Sequence, residues 1–424
     1  MNKGVDVRGM FWLESSPEAK VPGHLTFDPK KGGRLALHGT FVNHDRQTRY
    51  ERVVGDVGGR SCVLLECFEV AQTTYDTGDG KWERHITLLV NMAIMAPRGE
   101  APAADAKFTG AFMTFTGLSE FDGRMPFSFN SPTDDDDWAE QVQVRQLEKR
   151  QVEADEMTVE LIHLPGYAGT WSSGRESVTS KHYCRIILSE PGSLDDVLEA
   201  FTWVRDWVAI AVHRDCRIVG PFQLTAEESN NARFGTTEFH GVWPRARKTR
   251  RPVFIDRVMT FDDLGADGVR RLLNLRLDLG HVVRRVASMR FERGVAFEDA
   301  IIRLVSAADG LHRELTGRQR EPARKMLLES AAAVGPRFTS LVPDLDRWAT
   351  DIVNLRDDAA HNKGRPLKRV ALAEPMVSSV YWLTVLRLLV HAGVGESALD
   401  AVVGSQPFIA AMGAVREAYP LPPV

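Results

Sequence analysis

The stretch "NLRDDAAHNKG", Asn354 to Gly364, sets Arg356 five positions before His361. A guanidinium holds anions with a planar fork of N–H donors, and an imidazole exchanges its proton near neutral pH. The two types together suit acid–base chemistry beside an anion. Spacing alone argues for something plainer. Five residues of a straight helix turn through about 500°, which leaves the two side chains roughly 140° apart. Trp348, Ile352, Leu355 and Ala359 form an apolar stripe with Arg356 at its edge, and Lys363 with Gly364 makes a helix-ending signal beyond His361. Read by itself, the motif is a surface arginine and a histidine near the negative end of a helix dipole.

Other groups carry less. "DDDDW" places four carboxylates, Asp134 to Asp137, in succession. Consecutive side chains diverge on any regular backbone, and no His or further acid stands at ligand spacing. A solvated loop leading into a helix is the expectation, not a metal site. His281 with Arg284 and Arg285, and His312 with Arg313, fall on helical stretches where a polar-face or interface histidine is the default. Cys62, Cys67, Cys184 and Cys216 include no CxxC pair. Odd spacing in one strand sends Cys62 and Cys67 to opposite faces, which leaves buried free thiols in a reducing compartment as the reading. No Gly-rich phosphate loop, GxSxG, HExxH or paired CxxC occurs, so the common nucleotide-binding and hydrolase motifs are excluded.

The elements that must position these residues fall into two halves. At 424 residues the chain exceeds one ordinary core, and 43% apolar with 26% charged residues is a globular composition. A net charge of −4 gives no bulk attraction to nucleic acid. The opening "MNKGVDVRGMFWLESS" lacks a signal peptide's apolar region, and no apolar run reaches the ~18 residues of a membrane span. A cytoplasmic protein without a membrane partner is expected. "GHLTFDPKKGGRLALHGTF" alternates across a Gly-rich turn, a hairpin signal. Short runs follow at "SCVLLECFEV", "RHITLLVNMAIM", "GAFMTFTGL", "MTVELIHL" and "HYCRIIL". Ser193 with Asp196 then caps a helix carrying Val197, Phe201, Val204 and Val208, expected to pack on the sheet.

"RARKTRRP", Arg245 to Pro252, reads as a basic linker or a local phosphate-binding patch. Beyond about residue 257 the period becomes helical. Phe297, Ile301, Leu304, Ala308, Leu311 and Leu315 form one stripe, and Pro322 suits the first turn of the next helix. "EPMVSSVYWLTVLRLLVHAGV" is apolar almost all round, so it belongs at the centre of a bundle or at a subunit interface. The fold class is α+β. A β-rich, mainly antiparallel domain over 1–244 and a basic linker over 245–256 precede an all-α bundle over 257–424.

In that setting "LRDDAAHNKG" on the penultimate long helix resembles the R-x4-6-H signature of HEPN domains. The preceding "LVSAADGLHREL" is similar to the segment before the motif in the ApeA-like HEPN group of abortive-infection proteins. "RGMFWL", "GHLTF…GRLALHGTF", "VVGDVGGRSCVLLECFEV" and "SLDDVLEAFTWVRDWVAIA" resemble, in order, the β-rich domain attached to that group. The resemblance implies a metal-independent, cofactor-free endoribonuclease of anti-phage defence acting as a homodimer on RNA, tRNA loops among the substrates. The N-terminal domain would sense or restrain, with a phage-derived trigger as a further partner. Carried over by position, His361 is general base or acid and Arg356 binds the scissile phosphate. Asp357 and Asn362 shape the site, and Lys363 and Arg365 contact RNA. Asp357 stands where the group usually has Asn, and its carboxylate repels phosphate. The alternative is a non-catalytic bundle used for dimerisation or for binding RNA or a ligand.

Overall fold

Alternating apolar residues build the first strands. The computed structural model describes residues 4–28, 31–41, 49–76, 78, 82–100, 102–124, 127–130, 141–144, 146–170, 175–220, 222–226, 237–241, 257–291, 295–361 and 370–419. β1 (Val5–Leu13) pairs antiparallel with β2 (Val21–Asp28), which turns into β3 (Gly32–Leu37) as the expected hairpin. Gly33 is required there, because a Cβ would lie 2.5 Å from the Phe27 ring. β4 (Arg49–Val57), β5 (Arg60–Asp76) and β6 (Trp82–Pro97) complete a ring of pairings. β3 pairs with β6, β6 with β5, β5 with β4, and β4 with β1. The result is a six-stranded antiparallel barrel, which leaves no free edge along its closed part. Phe11, Leu25, Phe27, Leu35, Leu64 and Leu88 fill it.

Cys62 and Cys67 share this core, which corrects the expectation of opposite faces. Glu66, between them, has a left-handed backbone with φ 51°, and this breaks the two-residue alternation. Burial pushes both thiols up to about 12. All four cysteines are free and buried.

The chain continues through β7 (Phe108–Met113), α1 (Leu118–Asp122), β8 (Phe127–Asn130), β9 (Gln141–Val144), β10 (Arg150–Glu153), β11 (Met157–Thr170) and β12 (Arg175–Gly192). After α2 (Leu194–Ala211) come β13 (Phe222–Ala226) and β14 (Thr237–Gly241). The C-terminal part of β6 pairs with β14, β14 with β13, β13 with β7, and β7 with β12. Two compact units result, interleaved in sequence. One holds Met1–Phe115, Tyr183–Leu198 and Arg217–Thr249; the other holds Thr116–His182, Glu199–Cys216 and Arg250–Val424. The expected linker over 245–256 and the "DDDDW" segment lie outside the described residues. Ser193 and Asp196 cap α2 reciprocally, with Ser193 N–H and Oγ each donating to Asp196 Oδ2 at 2.7 Å. In the second unit Val204, Trp207 and Val208 of α2 line a small apolar cavity with Val152, Val159 and Leu161, so the helix does pack on strands, those of the β10–β11 hairpin.

From Phe261 onward that unit is helical: α3 (Phe261–Asn274), α4 (Arg276–Phe291), α5 (Phe297–Thr316), α6 (Ala323–Val334), α7 (Pro336–Thr339), α8 (Leu345–Ala360), α9 (Val370–His391), α10 (Glu396–Gly404) and α11 (Gln406–Ala418). α5 packs against α4, α6, α8 and α9, and α9 also meets α6 and α11. Of the expected stripe, Ile301, Leu304, Ala308 and Leu311 are buried. The segment Ala373–His391 corrects one expectation, since by length and composition alone it could cross a membrane. It is 72% buried inside the structure, so its apolar surface is spent on neighbouring helices.

Trp348 of α8 ties the site's helix to this centre. It is fully buried, stacks edge-on against Phe338, and donates Nε1–H to Ser379 Oγ at 2.8 Å. Trp348→Ala should destabilise the bundle by about 3–5 kcal/mol. Trp348→Phe, which keeps an aromatic ring and removes the N–H donor, should have a clearly smaller effect. Urea titration followed by helical circular dichroism measures both.

Candidate functional site

α8 begins on a capped end, where Asp344 Oδ1 accepts from the Arg347 N–H at 3.0 Å. Trp348, Ile352 and Leu355 face inward and are buried, while Ala359 is half-buried. That stripe fixes the rotation of the helix. Arg356 lies at its edge with 42% of its side chain exposed. The last helical residue is Ala360, and His361 is the C-cap, its N–H donating to Asp357 O at 3.1 Å. Both candidate residues therefore occupy the C-terminal end of one helix, where the dipole favours positive charge.

The nearest partner of Arg356 is its neighbour. Arg356 Nη1 lies 3.3 Å from Asp357 Oδ1, and the Asp357 side chain is 45% exposed. A pair this exposed contributes about 0–1 kcal/mol, so an incoming dianion or phosphodiester can compete for the guanidinium. His361 is exposed, and among the described residues its imidazole has no hydrogen-bonding or ionic partner. Asn362, Lys363 and Arg365 lie outside the described residues.

His281, Arg284 and Arg285 are exposed on α4, matching a polar face. His312 does not match. It is buried at 4% exposure and its Nε2 lies 2.7 Å from Glu321 Oε2 and 3.6 Å from Glu329 Oε2. The reason is the path of the chain after α5, which returns two carboxylates to the helix end. His312, Glu321 and Glu329 have ligand atoms within 4.8 Å of one another, the spacing of a metal site. Two cations already compensate the carboxylates: Arg318 Nη1 lies 3.1 Å from Glu321 and 3.0 Å from Glu329, and Lys325 Nζ 2.5 Å from Glu321. A divalent ion would have to displace both, so the group reads as a closed ion network joining α5 to α6.

A second polar cluster surrounds Asp122, which is 1% exposed. Arg124 Nε lies 2.9 Å, Arg150 Nε 3.0 Å and His182 Nε2 3.5 Å from its oxygens. Burial alone would raise this carboxyl's pKa, but His182, Arg124 and Arg150 outweigh it and the pKa is lowered. Arg150 also covers the Phe261 ring at 4.5 Å. A third cluster centres on His213, with φ 50°, stacked on Trp382 at 5.1 Å. Arg290 Nη1 lies 2.8 Å from its Nε2. Burial, with Arg290 adding to it, pushes this imidazole down to about 3, so it is neutral at physiological pH. Sequence reasoning missed both clusters. Their members are far apart in the chain, and no short motif joins them.

The chain matches the model of the ApeA N-terminal domain 1 over residues 6–274, more than half of its length, and it belongs to that family. No curated protein and no solved structure matches it. The matched segment takes in the barrel, the β10–β11 hairpin, α2 and α3, and ends before α8.

The ion network makes a pH prediction. Lys325 and His312, donating to Glu321, hold its carboxyl near 2 against an ordinary 4.5. A depressed folded-state pKa stabilises above the unfolded value and is lost as pH falls through the folded one. Wild type should therefore lose stability between about pH 4.5 and 2. Glu321→Gln should start lower and show a flatter profile across that window, as measured by thermal melts at stepped pH.

Proposed function

We propose that this chain is a metal-independent endoribonuclease of anti-phage defence, acting by abortive infection. The observation that carries the reading is the exposed end of α8, a helix anchored in a bundle core, which carries both Arg356 and a His361 whose imidazole has no partner among the described residues. Membership of the ApeA N-terminal domain family supports the defence setting, and the resemblance of "LRDDAAHNKG" to the HEPN signature supports the chemistry.

The reaction that suits these groups is internal transfer. The ribose 2′-oxygen attacks phosphorus as its proton passes to a base, the bond to the 5′-oxygen breaks, and that oxygen takes a proton. The products are a 2′,3′-cyclic phosphate and a 5′-hydroxyl. His361 serves as base or acid, since imidazole is suited to both roles near neutral pH. Arg356 binds the phosphate and stabilises charge that develops on its oxygens. Lys363 and Arg365, next along the chain, contact the RNA, and Asn362 with Asp357 shapes the site. Single-stranded loops, tRNA anticodon loops included, present splayed bases and fit such an open site best. Two bundles facing one another bring two Arg–His pairs to a shared cleft, which makes the working form a homodimer. The barrel unit restrains or triggers it, and the RNA substrate puts its action in the cytoplasm.

One observation favours a second reading, a bundle that binds RNA or a ligand without cutting. The Asp357 carboxylate already faces Arg356. His361→Ala and Arg356→Ala should each lower cleavage of total RNA by at least about 100-fold, in EDTA, with fold and oligomeric state retained. Fragments should end in cyclic phosphate. Equal cleavage by both variants and wild type would sink the nuclease reading; RNA binding without any cleavage supports the second. Asp357→Asn should tighten RNA binding by up to about fivefold at low salt, the scale of an exposed ion pair.

A further inference from the structure

α4 carries a basic face that its own bundle leaves unused. Leu279, Val282, Val283, Val286 and Ala287 form the buried side of the helix. Leu277, His281, Arg284 and Arg285 fall at i, i+4, i+7 and i+8, share the opposite side, and are all exposed. The geometry points to a nucleic-acid surface: we propose that this face holds the phosphate backbone of single-stranded RNA. The inference rests on the reading that the chain engages RNA, and it holds whether or not the RNA is cut.

The cations able to serve are few, because most are already engaged. With a net charge of −4 the chain as a whole repels a polyanion, so binding depends on local positive groups. Along α3 and α4, Arg270 donates to Asp267 at 2.8 Å, Arg271 to Gly393 O, Arg276 to Glu156 at 2.9 Å and Arg290 to His213 at 2.8 Å. Arg284 and Arg285 have no hydrogen-bonding or ion-pair partner among the described residues. Asp206 of α2 is the carboxylate whose field reaches Arg284. It is 2% exposed, and its Oδ1 accepts from Arg205 at 2.8 and 3.2 Å, so it does not hold the Arg284 fork. The two open guanidiniums stand about 100° apart around the helix, and each can clasp one phosphate through paired N–H donors.

The other two residues shape the face. Gly310 of α5 lies against His281, where a Cβ would come within 3.2 Å of Nε2, so the missing side chain is what seats the imidazole between the two arginines. Leu277, 72% exposed, is an apolar shoulder one turn back on which a base or ribose can rest. Asp278 adjoins it and acts on His391 of α9. A protein partner fits less well. Stable interfaces bury about 800 Å² per partner around an apolar centre, and this face offers one large apolar side chain.

The test uses the full chain carrying His361→Ala, which keeps the probe intact, and a fluorescent oligouridine read by anisotropy between about 50 and 200 mM salt. Each phosphate contact on a single strand adds about 0.7 to the slope of log K against log salt. Arg284→Gln with Arg285→Gln should therefore flatten that slope by about 1.4 and weaken binding at least about tenfold at the low-salt end. Arg284→Lys with Arg285→Lys should keep the slope. Leu277→Ser should weaken binding at every salt with the slope intact, since an uncharged contact releases no ions. Lys31→Gln with Arg34→Gln, the same loss of charge at exposed barrel positions, should leave the slope unchanged. All these positions are exposed, so melting temperatures should hold. An unchanged slope in the α4 glutamine pair, with the parent chain still binding, overturns this inference and leaves the RNA reading standing. Equal flattening by the barrel pair reduces the effect to bulk charge and overturns it as well. Displacement of the RNA by equimolar oligoglutamate would assign the face to an acidic protein instead. Failure of the parent chain to bind RNA at all removes the RNA reading along with it.

Discussion

A helix without a polar face can exist in water only if other helices surround it, and α9 imposes that condition on the second unit. From Val380 to Leu389 nearly every side chain is buried. α5, α6, α8 and α11 meet that demand, each turning its own apolar stripe inward. α8 is held in place at two levels, by the Trp348–Phe338 edge contact and by the hydrogen bond from Trp348 to Ser379 of α9. The position of Arg356 and His361 follows from this packing, because the rotation of α8 is set by the face that Trp348, Ile352 and Leu355 must bury.

The polar groups inside the same unit show two outcomes of one competition. Asp206 is 2% exposed and has Arg205 at 2.8 Å, yet burial wins and its pKa is raised. Asp122, with Arg124 at 2.9 Å, Arg150 at 3.0 Å and His182 at 3.5 Å, goes the other way, and there the partners win. His213 is kept neutral by burial and by its arginine neighbour. These groups have fixed partners, which suits structural joints. His361 differs in kind. It is open to solvent, and its imidazole has no partner among the described residues.

Much of the fold was legible because periodicity is local. The β2–β3 hairpin, the capped α2, the α5 stripe and the α8 stripe each follow from residues within one element, and each forms as the pattern requires. What could not be read depends on chain segments meeting at a distance. Nothing in "SCVLLECF" signals that Glu66 leaves the strand conformation and returns Cys67 to the side of Cys62. Nothing near His312 shows that Glu321 and Glu329 come back to bury and pair it. The interleaving of the two units likewise depends on which strands find each other. The candidate pair itself was visible as a spacing, and its divergence on an ideal helix followed from the helical period; that the Asp357 side chain turns onto Arg356 depends on rotamers that no sequence pattern fixes.

The burial of the four cysteines has a practical side. Cys62, Cys67 and Cys184 are fully inaccessible, and Cys216 is 1% exposed. Burial raises the pKa of all four, so thiolate, the form that reacts, is scarce at neutral pH. The folded chain is thus silent toward maleimides and mild oxidants. A single cysteine introduced on an exposed face would be the sole reactive thiol among the described residues, so the native sequence serves as its own blank for site-specific labelling.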